Sequence, residues 1–390
     1  MAASLLMLAF ASVGAPHVTG PRTTTSERPV YRFRAAHAVG FRCAFDSRQL
    51  HGCKARYSQR LDLGRHVLRV RAVGRGHALS RTVTVRVVVK SPYPSLSAGP
   101  PLAVGAGAGV PAEDPGGLWV PVTATGDLAR VDPGGGSVTA KVHVGQPPSG
   151  SGFLDSAIFA GGSVWAASDS GGTIARVDPT TGAVTGTIAV PPRPGGLAAG
   201  GGSVWAFHFQ SSSVTRIDAA SGIAHTLTVG DANATGIAYG GGSLWLLTQL
   251  PSRVLRVDPS SGAVLQSIAL SPPYARKHSL IDTWWLAYGD GAVWATLPNY
   301  EGVARIDAVT GSVRYARTPY GEPFGVAEGG GSAWVATDHG VLRLDATTGS
   351  PTGVALLPIA SQTGFVSITY SNGVAWFTNY DRGTLTKVSG

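Results

Sequence analysis

An all-β fold is predicted by three features of this sequence. Glycine is abundant (54 of 390 residues) and falls in doublets and triplets; Val, Thr and Trp are plentiful; and one short tryptophan-centred phrase returns at a regular interval. β-Branched and aromatic residues suit a pleated strand, and glycine-rich doublets supply the tight turns between strands. Charged residues make up 14% and apolar residues 43%, a balance that builds packed cores and excludes wholesale disorder. A chain of this length exceeds one ordinary core, so two domains are expected.

The repeat comes first because it carries the most information. Gly116-Gly117-Leu118-Trp119 is followed by Gly161-Gly162-Ser163-Val164-Trp165, Gly201-Gly202-Ser203-Val204-Trp205 and Gly241-Gly242-Ser243-Leu244-Trp245. Asp290-Gly291-Ala292-Val293-Trp294, Gly330-Gly331-Ser332-Ala333-Trp334 and Asn372-Gly373-Val374-Ala375-Trp376 complete the series. Successive tryptophans lie 46, 40, 40, 49, 40 and 42 residues apart, the period of propeller blades. Within a unit, a small-residue strand (A) such as Gly236-Ile237-Ala238-Tyr239 leads through the glycine turn to the Trp strand (B). A variable loop then leads to an Arg-Val/Ile-Asp strand (C), a fixed turn such as Asp178-Pro179-Thr180-Thr181-Gly182, and a fourth strand (D). A single four-stranded sheet cannot bury both faces, so the units must stack around an axis. Residues 102–390 therefore read as a seven-bladed β-propeller. The seventh unit ends at Thr384–Val388, which matches a third strand. A segment before the first blade, around Tyr93–Ala98 or Val83–Val89, is expected to supply the fourth and close the ring.

The pattern Gly-Gly-Ser-x-Trp followed by Arg-x-Asp-x-x-x-Gly resembles the YVTN-type and streptogramin-lyase-like propeller repeats of bacterial secreted proteins, over residues 102–390. The resemblance implies the propeller fold; function is left open, because propellers host unrelated activities. Streptogramin B lyases use Glu and His with a magnesium ion and place an acidic residue soon after blade tryptophans. Here Ala166-Ala167-Ser168, Ala206-Phe207-His208, Leu246-Leu247-Thr248 and their counterparts carry no Glu.

The N-terminal part reads differently. Residues 1–20, with the apolar run Leu5-Leu6-Met7-Leu8-Ala9-Phe10-Ala11, read as a secretory signal, with cleavage after Ala11 or Ala15. Residues 27–90 alternate apolar and polar positions, as in Thr82-Val83-Thr84-Val85-Arg86-Val87, and predict a small β-sandwich. This piece resembles the Ig-like modules of bacterial surface proteins, which implies a spacer or adhesion role. Residues 91–101, rich in Ser, Pro and Gly, read as the linker. Cys43 and Cys53 are the two cysteines; in an exported chain they are expected to form a disulfide. Residues 1–95 hold 16 Lys and Arg against Glu27, Asp46 and Asp62, so the basic excess belongs to this part alone. It predicts a solvated basic face or contact with an anionic cell-envelope surface. Nucleic acid is not an expected partner, because the arginines are not interleaved with aromatics.

Function is expected in the loops that differ between blades. The B–C and D–A loops open on one face around the axis, and loops positioned by a rigid scaffold are where binding residues concentrate. The candidates on B–C loops are His208, Tyr300, Glu301, Asp338, His339, Tyr380 and Asp381. Those on the longest D–A insertion are Tyr274, Arg276, His278, Trp284 and Trp285. Exposed aromatic, imidazole and carboxylate groups suit a carbohydrate, peptide or protein ligand. The repeated Arg/Asp pairs and blade tryptophans are expected to be structural. No nucleophile elbow, phosphate loop or zinc motif is present, so no catalytic residue, metal or cofactor is assigned. The expectation is a monomeric secreted or cell-surface binding protein, with a lyase resembling streptogramin B lyase as the alternative.

Overall fold

The computed structural model describes residues 12–132, 136–145, 156–169, 171–230, 233–249, 251–273, 285–319, 321–357, 359 and 365–390. Its two compact units divide between Pro92 and Tyr93.

The first unit is a β-sandwich of eight strands: β1 (His17–Thr19), β2 (Thr23–Thr24), β3 (Val30–Arg34), β4 (Ala38–Phe45), β5 (His51–Cys53), β6 (Arg56–Ser58), β7 (Gly64–Gly74) and β8 (Val83–Val89). One sheet has the order β1-β3-β6 and the other β2-β8-β7-β4-β5. Alternation puts Tyr31 and Phe33 of the first sheet against Cys43, Phe45, Leu68, Val70, Val85 and Val87 of the second. A disulfide joins Cys43 to Cys53, tying β4 to β5. Closing so short a loop contributes about 2–3 kcal/mol. The leader reading, drawn through residue 20, needs correction. The Gly14 N–H donates to the Ala36 carbonyl (3.0 Å), and β1 pairs in register with β3, His17 opposite Arg34, so residues 14–19 belong to the sandwich. Residues 1–11 lie outside the described residues.

The second unit is the seven-bladed propeller. Six blades are four-stranded antiparallel sheets of consecutive strands, the first spanning Ala112–His143 and the sixth Pro323–Leu356. The seventh has three strands of its own, ending in Thr384–Ser389. Its fourth comes from the start of the unit: Ala98 pairs with Val388, and Leu102 with Leu385. Part of the segment read as linker is thus blade. Leu96 is buried with Trp334 and Val388, and its N–H donates to the Val354 carbonyl of blade 6 (2.9 Å). Val83–Val89, the other segment considered for this role, belongs to the sandwich.

The repeated residues build the scaffold. All seven blade tryptophans are buried, and in blades 2, 3, 4 and 6 the indole N–H donates to the backbone carbonyl five residues before it. The strand C arginine lies over the indole, 5.2 Å from the ring centre at Arg176 and 5.6 Å at Arg216. Its Nε donates to the serine of the glycine turn (Ser163, Ser203, Ser243) at 2.9 Å, which accounts for that serine. The strand C aspartates cap the C–D turns: Asp178 accepts the N–H groups of Thr180 and Thr181, each at 2.8 Å. Gly182, Gly222, Gly262, Gly311 and Gly349 close these turns at φ between +73° and +76°, which only glycine adopts freely. Asp258 is held down to about 2, first by the Ser260 hydroxyl and then by the N–H and hydroxyl of Ser261.

Blades are joined by a contact the repeat also encodes. Tyr239 of blade 4 stacks on Trp205 of blade 3 (6.1 Å, 13°), and Tyr370 of blade 7 stacks on Trp334 of blade 6 (5.5 Å, 21°). The tyrosine ring fills the space beside a strand A glycine, and a Cβ at Gly240 would meet Tyr288 at 1.9 Å. Blades 1, 2, 3 and 6 carry Glu113, Phe159, Ala199 and Glu328 in place of this tyrosine. Glu328 occupies the position held by tyrosine in blades 4, 5 and 7, six residues before the blade tryptophan, and packs against Gly289 of blade 5. Burial, together with Asp290 beside it, pushes this carboxyl up to about 7.

Candidate functional site

The strand order A-B-C-D fixes which loops share a face. The repeated A–B and C–D turns lie at one end of each sheet and the variable B–C and D–A loops at the other. The seven A strands surround the axis, and a cavity of about 280 Å³ lies among them. Short residues there, Ala112, Ser156, Gly196, Thr235 and Gly236, leave the space open, and Phe207, Trp285 and Leu286 border it. Trp285 stands at the start of strand A in blade 5, where the longest D–A insertion returns to the sheet. Its N–H donates to the Thr296 hydroxyl (3.0 Å) and its carbonyl accepts the Thr296 N–H (3.1 Å). Thr296 is fully buried, so a rigid strand holds the backbone of Trp285 in place.

Asp338 and His339 form the one acid–imidazole contact among the candidate residues as described. His339 Nδ1 lies 2.8 Å from Asp338 Oδ1, and the same oxygen accepts the Glu322 N–H at 2.8 Å. This ties the B–C loop of blade 6 to the D–A loop before it. Both side chains are partly exposed and can present an acceptor and an imidazole to a ligand. Tyr380 is half-buried and packs its ring edgewise on Phe365 (6.2 Å, 74°), beside half-buried Asp381. Glu301 is half-buried at φ +46°, capping a short turn whose N–H donates to the Pro298 carbonyl.

Two candidates need correction. His208 is completely buried, with Nε2 2.8 Å from the Thr215 hydroxyl. Burial pushes its pKa down against the opposing backbone carbonyls of Pro192 and Pro191, so it is a neutral core residue. Tyr300 is also a core residue: the turn Pro298–Tyr300 folds its ring into the blade 5 cluster with Leu297 and Ala304. Tyr274, Arg276, His278 and Trp284 lie outside the described residues. Among the described residues no three His, Cys, Asp or Glu side chains gather in a way that could hold a metal ion.

Arg193, on the D–A loop between blades 2 and 3, was not among the sequence candidates. Its guanidinium lies 5.6 Å above Phe209, donates to Gln210 Oε1 (2.7 Å), and stands 3.8 Å from Asp169. Arg193 and Gln210 both have positive φ (+59° and +58°), so both sides of this contact sit on strained backbone. A lone arginine in an otherwise uncharged Pro-Pro-Arg-Pro-Gly-Gly loop was the signal that could have found it.

No protein-family model matches the chain, and none of the curated proteins does. Solved structures do. Hydrazine synthase of Kuenenia stuttgartiensis is 16% identical with a TM-score of 0.58, covering 77% of this chain and 97% of that one. The Cps50 (Swd1) β-propeller domain of Myceliophteria thermophila is 13% identical with a TM-score of 0.60, covering 76% and 99%. A chain of a mitotic checkpoint complex is 11% identical with a TM-score of 0.58, covering 77% and 96%. At these identities the likeness establishes the propeller fold.

Proposed function

We propose that this protein is an interaction module, secreted or held at the cell surface. In this reading an Ig-like spacer carries a propeller of the YVTN type, which captures a peptide, carbohydrate or protein ligand on its variable-loop face. The observation that carries the proposal is the asymmetry of the propeller. One face is a repeated set of Asp and Gly turns consumed by internal hydrogen bonds. The other has Trp285 at the border of the axial cavity, and carries on its loops the Asp338–His339 pair and Arg193 over Phe209. Binding energy at such surfaces concentrates in aromatic and arginine anchors held by a rigid frame. The disulfide supports an oxidising compartment. One of the structural neighbours is a chain of a mitotic checkpoint complex, in keeping with an interaction role.

A lyase reading has one observation in its favour, His339 within proton-transfer distance of Asp338. The Asp338 carboxylate is engaged in holding a loop, however, and no metal-binding cluster of His, Cys, Asp or Glu is found among the described residues.

Ligands selected from displayed peptide and glycan libraries against the full chain test the proposal. Trp285→Ala is expected to weaken the selected ligands by about 2 kcal/mol, roughly thirtyfold. Thr180→Ala, on a C–D turn of the opposite face, is expected to leave affinity unchanged. Equal effects of the two would refute the loop-face assignment.

A further inference from the structure

The register of the five-stranded sheet in the sandwich produces a feature that the spread of arginines along the sequence does not reveal. Leu68, Val70 and Ala72 of β7 point into the core, so Arg65, Arg69 and Arg71 point out. Arg42 of β4 stands directly opposite Arg71, and Arg86 of β8 stands opposite Val67, diagonal to Arg69. The five side chains therefore form one diagonal row across β4, β7 and β8. Six residues of strand make the row about 20 Å long, with neighbouring strands about 4.8 Å apart.

The row is not neutralised. Among the described residues no carboxylate pairs with any of the five. Arg71 Nε donates to the Thr82 hydroxyl (2.7 Å), and Arg69 Nη1 to the Ser47 carbonyl (3.2 Å). Asp46, just beyond the end of β4, is engaged by the Val67 N–H and by His66, both at 2.7 Å. Arg42, Arg65 and Arg86 are exposed. Like charges placed opposite one another across strands destabilise a sheet, so the row costs stability in the free protein. All five are Arg, the planar fork that grips carboxylate, sulfate or phosphate groups bidentately.

We propose that this row is a binding surface for a linear anionic polysaccharide. A row of cations spaced about 5–7 Å apart matches an extended chain carrying an acidic group on successive sugar rings. The arginine row contains no aromatic side chain on which a nucleobase could stack. The exposed apolar residues of the unit, Val39 and Leu79, sit beyond one end of the row and give a bilayer only a small foothold. The disulfide favours an oxidising space, where such polysaccharides are found.

Binding of the full chain to polygalacturonate, measured at low and at physiological salt, tests this. Neutral dextran serves as the blank, and anionic phospholipid vesicles and oligo(dT) as competitors. The triple variant Arg42→Gln/Arg71→Gln/Arg86→Gln is expected to lose about tenfold in affinity and much of the salt dependence. The triple Arg32→Gln/Arg34→Gln/Arg56→Gln removes the same charge from the outer face of the other sheet and is expected to lose less than about threefold. Thermal unfolding of both variants verifies that they are folded. Equal losses would mean diffuse charge and overturn the proposal. Absence of polygalacturonate binding, or tighter binding of vesicles or oligo(dT) through the same arginines, would overturn it too.

Discussion

A chain cut to residues 104–390 is expected to unfold at least about 10 °C below one cut to residues 93–390, or not to fold cooperatively at all. The shorter chain loses both segments that serve as the fourth strand of blade 7, Ser97–Ala98 and Leu102–Ala103. It also loses Leu96, whose buried side chain packs with Trp334 and Val388, and the hydrogen bonds that link residues 94 and 96 to Val354 of blade 6. Emptying a buried leucine site alone costs about 2–5 kcal/mol, and the last strand becomes an unpaired edge. Circular dichroism melting of the two chains measures the difference. Coincident midpoints would mean that the ring does not depend on the joining of its ends.

The second large effect concerns pH and the joint between blades 5 and 6. In the folded protein Glu328 holds its proton up to about pH 7, well above the ordinary value of 4.5. The folded state therefore binds more protons than the unfolded state between those values, and stability falls as pH rises through that window. Below about pH 4.5 the carboxyl is protonated in both states and the penalty vanishes. After allowance for solvent screening, the loss from pH 4.5 to 8 is about 1–2 kcal/mol. Glu328→Gln should remove this slope, and Glu328→Tyr should do the same while restoring the residue used in blades 4, 5 and 7. Subtracting each variant's denaturant stability from that of the wild type cancels the opposite, acid-side loss from Asp258 and the other turn aspartates. A pH-independent difference would show that Glu328 is already ionised in the fold.

The propeller was legible because each blade restates the same local chemistry. Trp strand, Arg-x-Asp strand and glycine turn recur every 40 to 49 residues, and the missing fourth strand of the last unit pointed to a donor upstream. The tyrosine joint was harder to see. Tyr239, Tyr288 and Tyr370 recur in only three of seven units, and their partners are glycines in the preceding blade. The site was less legible still. Nothing in the segment Ala206-Phe207-His208 says that His208 is covered, because its burial depends on packing that the strand itself does not encode. Trp285 differs in that its loop was unlike every other, and the structure places it beside the axial cavity. The arginine row was invisible for a geometric reason. Arg42 and Arg71 meet only through the β4–β7 register, which includes a bulge between Ala38 and Gly40.

The claim that the variable loops are the binding face is tested most directly by hydrogen exchange of the full chain with and without a selected ligand. The account predicts slowed exchange at residues 285–286, 298–301, 338–339 and 379–382, with the C–D turns at 178–182, 218–222 and 258–262 unchanged. Protection confined to those turns and to the glycine turns before the blade tryptophans would contradict it.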